Sequence, residues 1–86
     1  MRIYGYLDEE AISEKNGPKM LAEVTLAASP DELRSIASFL VSSAERMERM
    51  GASYDHEHLA DKQPGFDDQP HLVVFNPVHF HGTSGK

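Results

Sequence analysis

The chain has 86 residues, no cysteine, and a formal net charge of −6. The cysteine count excludes disulfides, zinc–thiolate sites and thiol catalysis, and it fits a reducing cytoplasm. No apolar run approaches a membrane span, and the start, MRIYGYLDEE, lacks the basic-then-apolar order of a signal peptide.

In chain order, RIYGYL (residues 2–7) has the period of a strand. Ile3 and Leu7 point to one face, Tyr4 and Tyr6 to the other. DEEAISEKNGP is charged and closes on Asn-Gly-Pro, so it is expected to be a loop or a long hairpin connection. KMLAEVTLAA follows as the clearest strand. Met20, Ala22, Val24 and Leu26 share one of its faces, and Leu21, Glu23, Thr25 and Ala27 the other.

SPDELRSIASFLVSSAERMERMG specifies a helix at both ends. Ser29 is the N-cap, Pro30 suits the first turn, and Glu32 completes a Ser-x-x-Glu capping box. Leu33, Ile36, Ala37, Leu40, Ala44 and Met47 recur at three- and four-residue spacing, which predicts one apolar stripe along it. Gly51 stands where a left-handed cap residue is expected.

Beyond Gly51, SYDHEHL (residues 53–59) is predicted as a third strand and HLVVFN (residues 71–76) as a fourth, with turn chemistry between them. The order β-β-α-β-β predicts an α+β fold: a small, largely antiparallel four-stranded sheet with one long amphipathic helix on one face. Residues 1–81 are expected to form a single domain and residues 82–86 a flexible tail.

One helix covers one face of such a sheet and leaves the other open. Tyr4 and Tyr6, with Glu23 and Thr25, are expected on that open face, which suits a protein partner or a homodimer. In the third strand His56 and His58 would share a side with Tyr54, and Asp55 and Glu57 the opposite side. Burying a carboxylate costs more than burying a neutral imidazole, so Asp55 and Glu57 are expected to face water.

Charge distribution narrows the partner. From Gly51 to Gly85 the only Lys or Arg is Lys62, against Asp55, Glu57, Asp61, Asp67 and Asp68. An acidic surface repels phosphate backbones, which argues against nucleic acid, and it would steer a basic protein inward. Asp55, Glu57 and Asp61 are therefore the expected rim of a partner site, with Tyr4 and Tyr6 as its anchors.

Chemistry is weakly supported. His56/His58 and His79/His81 form two His-x-His pairs that could supply four nitrogens to a metal, but the spacing is permissive and His81 sits near the chain end. Ser42 and Ser43 lie in the helix rather than on a nucleophile turn, and no phosphate-cradling glycine loop is present. The reading is of a binding protein without catalytic activity or cofactor. A small metal-binding domain and a dimeric structural or regulatory subunit are the alternatives.

Three blocks, AEVTLAASPDELRSIASFL, MERMGASYDHEHLAD and HLVVFNP, resemble the immunity protein 32 family of bacterial polymorphic toxin systems. They span Ala22 to Pro77, apart from the loop at 62–70. The resemblance implies a protein that binds and neutralises a toxin encoded by a neighbouring gene, often expected to be a nuclease, and it implies no particular site residues. VHFHGTSGK lies outside it.

Overall fold

A computed structural model describes residues 1–10 and 17–79. Two strands, β1 (Arg2–Leu7) and β2 (Leu21–Ala27), pair antiparallel as a hairpin. Helix α1 (Pro30–Met50) follows, then a single 3₁₀ turn at Gly51–Ser53. Strand β3 (His56–His58), the one-turn helix α2 (Leu59–Lys62), strand β4 (Val73–Phe75) and a 3₁₀ turn at Pro77–His79 complete the described chain. The fold is α+β, with four antiparallel strands and one main helix, as the sequence pattern requires. Part of the connection after β1 and all of the tail, including His81, lie outside the described residues.

The strands do not join into one sheet. β1 pairs only with β2 and β3 only with β4, giving two two-stranded ladders. Polar contacts fasten the root of the hairpin. Glu32, in the first turn of α1, accepts from the Ser29 amide through Oε1 at 2.8 Å and from the Met1 ammonium through Oε2 at 3.1 Å. Gln69 Oε1 also takes the Met1 ammonium. Both strands are thus tied where they meet the helix, while most of the hairpin's side chains stay exposed.

The helix begins as its cap predicts. Ser29 Oγ accepts from the Glu32 amide at 3.1 Å, completing the reciprocal box. At the other end Gly51 takes a positive φ of 55°, and its amide donates to the Met47 carbonyl. The buried stripe, however, is rotated from the expected one. Ile36, Phe39 and Ser43 are buried, whereas Leu33 and Leu40 are 44% and 46% exposed. Phe39 decides the rotation, because its ring carries more apolar area than any other side chain on the helix. It meets Leu59 of α2 and Phe66 of the following loop in the core, with Met1, Ala60, Leu72 and Val74 packed around them. All the core partners except Met1 come from the second half of the chain, so the helix turns its buried face that way.

β3 is also shorter than expected. The 3₁₀ turn at Gly51–Ser53 uses the residues before it, and α2 begins at Leu59 directly after it. Its register with β4 is His56↔Phe75, Glu57↔Val74 and His58↔Val73.

Candidate functional site

The last turns of α1 bring Arg46 toward the start of β3, and the 3₁₀ turn then reverses the chain so that Tyr54 is buried against the helix end. Asn76, itself buried, holds this turn. Its Nδ2 donates to the carbonyls of Gly51 at 3.0 Å and Tyr54 at 2.9 Å, and its Oδ1 accepts from the Val78 amide at 3.2 Å. The site therefore stands on side chains from α1, β3, α2 and the end of β4.

Glu57 is at its centre. Arg46 Nε donates to Oε1 at 3.0 Å and to Oε2 at 2.8 Å, and the Tyr54 hydroxyl donates to Oε1 at 2.8 Å. Lys62 Nζ lies 3.3 Å from Oε2. Burial alone would raise the carboxyl pKa, but hydrogen bonds from Arg46, Tyr54 and Lys62 outweigh it and lower it from 4.5 to about 2. The same burial pushes the Tyr54 hydroxyl up, and the bond to Glu57 raises Arg46. Ser43 Oγ is fully buried beside this group and close enough to influence it, yet it makes no hydrogen bond of acceptable geometry.

This overturns the expectation that Glu57 faces water. Its side chain is 12% exposed, while Asp55 is 61% exposed. Glu57 shares the inner side of the ladder with Val74, and His56 and His58 turn outward with Phe75 and Val73. Two cations and a phenol compensate the buried carboxylate, so the cost that should have turned it outward is met. Outside, the His56 and His58 rings meet edge to face at 5.0 Å, and His58 and His71 at 6.4 Å. His56 Nδ1 lies 2.6 Å from Asp55 Oδ2.

Around this cluster runs a shallow groove of about 480 Å³, lined by Tyr54, Asp55, His56, Glu57, Asp61 and Lys62 among others. The structure brings Asp55, Glu57 and Asp61 to one place. Tyr4 and Tyr6, 52% and 70% exposed, are on the other ladder and share no sheet with them. Of the two His-x-His pairs, His79 Nε2 lies 2.7 Å from the Ala52 carbonyl, and His81 lies outside the described residues. Among the described residues no three histidine or carboxylate side chains converge as a metal set. Arg46, Lys62 and Asn76 were not singled out for a site by sequence reasoning. An Asn before Pro77 was the only local signal for the last.

The described residues thus form a small α+β fold with a shallow groove built around a fixed carboxylate. A family model described as Immunity protein 32 matches residues 23–77, more than half of the chain, and the chain belongs to that family. No curated protein and no solved structure matches it. Membership of an immunity-protein family carries a toxin-neutralising role, with a cognate toxin as the class of partner. No helix among the described residues is long and apolar enough to cross a membrane.

Proposed function

We propose that this protein neutralises its toxin by stoichiometric binding in the cytoplasm, without catalysis or a cofactor, and that the toxin presents a basic surface such as a nuclease carries. One observation carries the proposal. Lys62 is the only Lys or Arg after Arg49 among the described residues, and its ammonium is already engaged by Glu57. Asp61, Asp67 and Asp68 have no ion-pair partner among the described residues, and Asp55 has only His56. Asp55 and Asp61 on the groove lining thus carry negative charge that no lysine or arginine pairs with, which favours capture of a basic partner. Glu57 supports this surface from within, while Asp55 and Asp61 meet the partner and Tyr4 and Tyr6 supply apolar contacts.

Titrating this protein against the toxin domain encoded by the neighbouring gene tests the proposal. Inhibition should saturate at one copy of this chain per toxin and leave both proteins chemically unchanged. Inactivation at catalytic amounts, or full inhibition after Asp55 and Asp61 are both changed to lysine, would refute it.

A further inference from the structure

The hairpin carries an apolar face that its own chain leaves uncovered. Cross-strand partners share a face, so the pairs Ile3↔Leu26 and Gly5↔Val24 place Ile3, Val24 and Leu26 together. A register shift between Tyr6 and Leu7 sets Leu7 opposite Leu21. Leu21 then lies across Gly5, where a Cβ would meet its Cδ1 at 2.7 Å. That irregularity moves Leu21 from the polar face, where simple alternation puts it, to the apolar one. Leu7, Leu21, Val24 and Leu26 are nevertheless 56, 47, 58 and 37% exposed. The opposite face carries Tyr4, Tyr6, Glu23 and Thr25, the tyrosines proposed above to contact the toxin.

Helix α1 has a matching deficit. Leu33, Ala37, Leu40, Val41 and Ala44 fall on one side of it, roughly 100° round from the buried Phe39 face. Leu33, Leu40 and Val41 are 44, 46 and 59% exposed. The chain is correspondingly open: its radius of gyration is 14.2 Å, against roughly 12 Å for a compact domain of this length.

We infer that two copies of this chain form a reciprocal dimer, in which the apolar face of each hairpin lies on the Leu33–Leu40–Val41 side of the other copy's α1. A sheet face on a helix stripe is the ordinary way two such surfaces are buried, and each copy supplies one of each. A two-fold dimer therefore covers both patches on both copies. A toxin would have to bring its own helix for the hairpin and its own sheet for the helix. A lone two-stranded hairpin is marginal in water, and a second copy is present wherever the chain itself is. Charge does not oppose burial of the two patches themselves, because neither contains an ionisable side chain. The exposed parts of the named leucines and valines sum to about 600 Å² per copy, most of the ~800 Å² that each partner of a standard interface buries.

The inference does not depend on the toxin, and it is tested on the full chain alone. Val24→Glu and Leu40→Lys are made separately, with circular dichroism confirming that each folds. Sedimentation equilibrium of the wild type should show a dimer, and each variant should self-associate more weakly by at least about tenfold. Native mass spectrometry of the two variants mixed should then show a heterodimer. In it one hairpin–helix contact is wild type, and the other sets the introduced carboxylate against the introduced ammonium as a new opposite-charge couple. A wild type that stays monomeric at high micromolar concentration would overturn the inference. So would a dimer lost with Val24→Glu but unaffected by Leu40→Lys, which would mean hairpin on hairpin. Failure of the mixture to form a heterodimer would overturn it as well.

Discussion

Arg46 and Glu57, eleven residues apart, are joined by one guanidinium nitrogen that donates to both carboxylate oxygens, at 3.0 and 2.8 Å. The contact ties the C-terminal turns of α1 to β3 and fixes the inner wall of the acidic groove. It also explains why a strand that reads Asp-His-Glu-His presents its imidazoles rather than both carboxylates to solvent.

Glu57→Gln should therefore lower stability on the order of 2 kcal/mol near neutral pH, because it weakens several charge-assisted hydrogen bonds at once. The pH dependence has a definite sign. The folded pKa lies below 4.5, at about 2, so the unfolded chain takes up the proton first as pH falls. Stability from this group is complete above about pH 4.5 and is lost as pH falls toward about 2. Urea denaturation of wild type and Glu57→Gln near neutral pH and near pH 3 measures it, and the gap between the two should narrow in acid. An equal gap at both pH values would mean that the carboxylate contributes nothing through its charge.

Core packing separates two neighbouring turns of the same helix. Phe39→Ala should cost about 3–5 kcal/mol, enough to unfold much of a domain this small. Leu33→Ala, at a site 44% exposed, should cost well under 1 kcal/mol when the protein is too dilute to self-associate. Thermal melts followed by circular dichroism compare them. Equal losses would restore the stripe expected from spacing alone.

Asn76→Ala should destabilise by about 2 kcal/mol, since it strips the Gly51 and Tyr54 carbonyls of their donor in a buried site. Asn76→Asp should be worse, because it turns a carboxylate toward those same carbonyl oxygens. Denaturant midpoints give the order, and an Asp variant more stable than the Ala variant would contradict the hydrogen-bond assignment.

Toxin capture should divide kinetically. Charge reversal at Asp55 and Asp61 should slow association and flatten its salt dependence, with a modest effect on dissociation. Alanine at Tyr4 or Tyr6, if it contacts the toxin, should raise the off-rate and cost on the order of 2 kcal/mol. Surface plasmon resonance against the neighbouring toxin domain at two salt concentrations reads both. Unchanged rates for the acidic variant, with folding intact, would move the binding surface off the groove.

Local signals were legible in the sequence because they involve neighbours a few residues apart. The Ser29–Glu32 capping box, the helix it starts and the alternation of β1 each need only short-range geometry. The absence of cysteine and the acidic second half needed no geometry at all, and the blocks from Ala22 to Pro77 carried the family. What a period cannot supply is which of two faces wins. Along β3, alternation separates His56 and His58 from Glu57 but cannot say that Arg46, eleven residues earlier, and Lys62 will compensate a buried carboxylate. On α1, spacing allowed a stripe through Leu33 and Leu40, and only the arrival of Leu59 and Phe66 turned Phe39 to the centre. The split of the four strands into two ladders was likewise beyond what alternation specifies. Glu32 holds the root of the hairpin at Met1, a residue 31 positions away, a contact that no local period announces. Each of these outcomes is a balance between desolvation and a partner remote in sequence, and that balance exists only once the chain has folded.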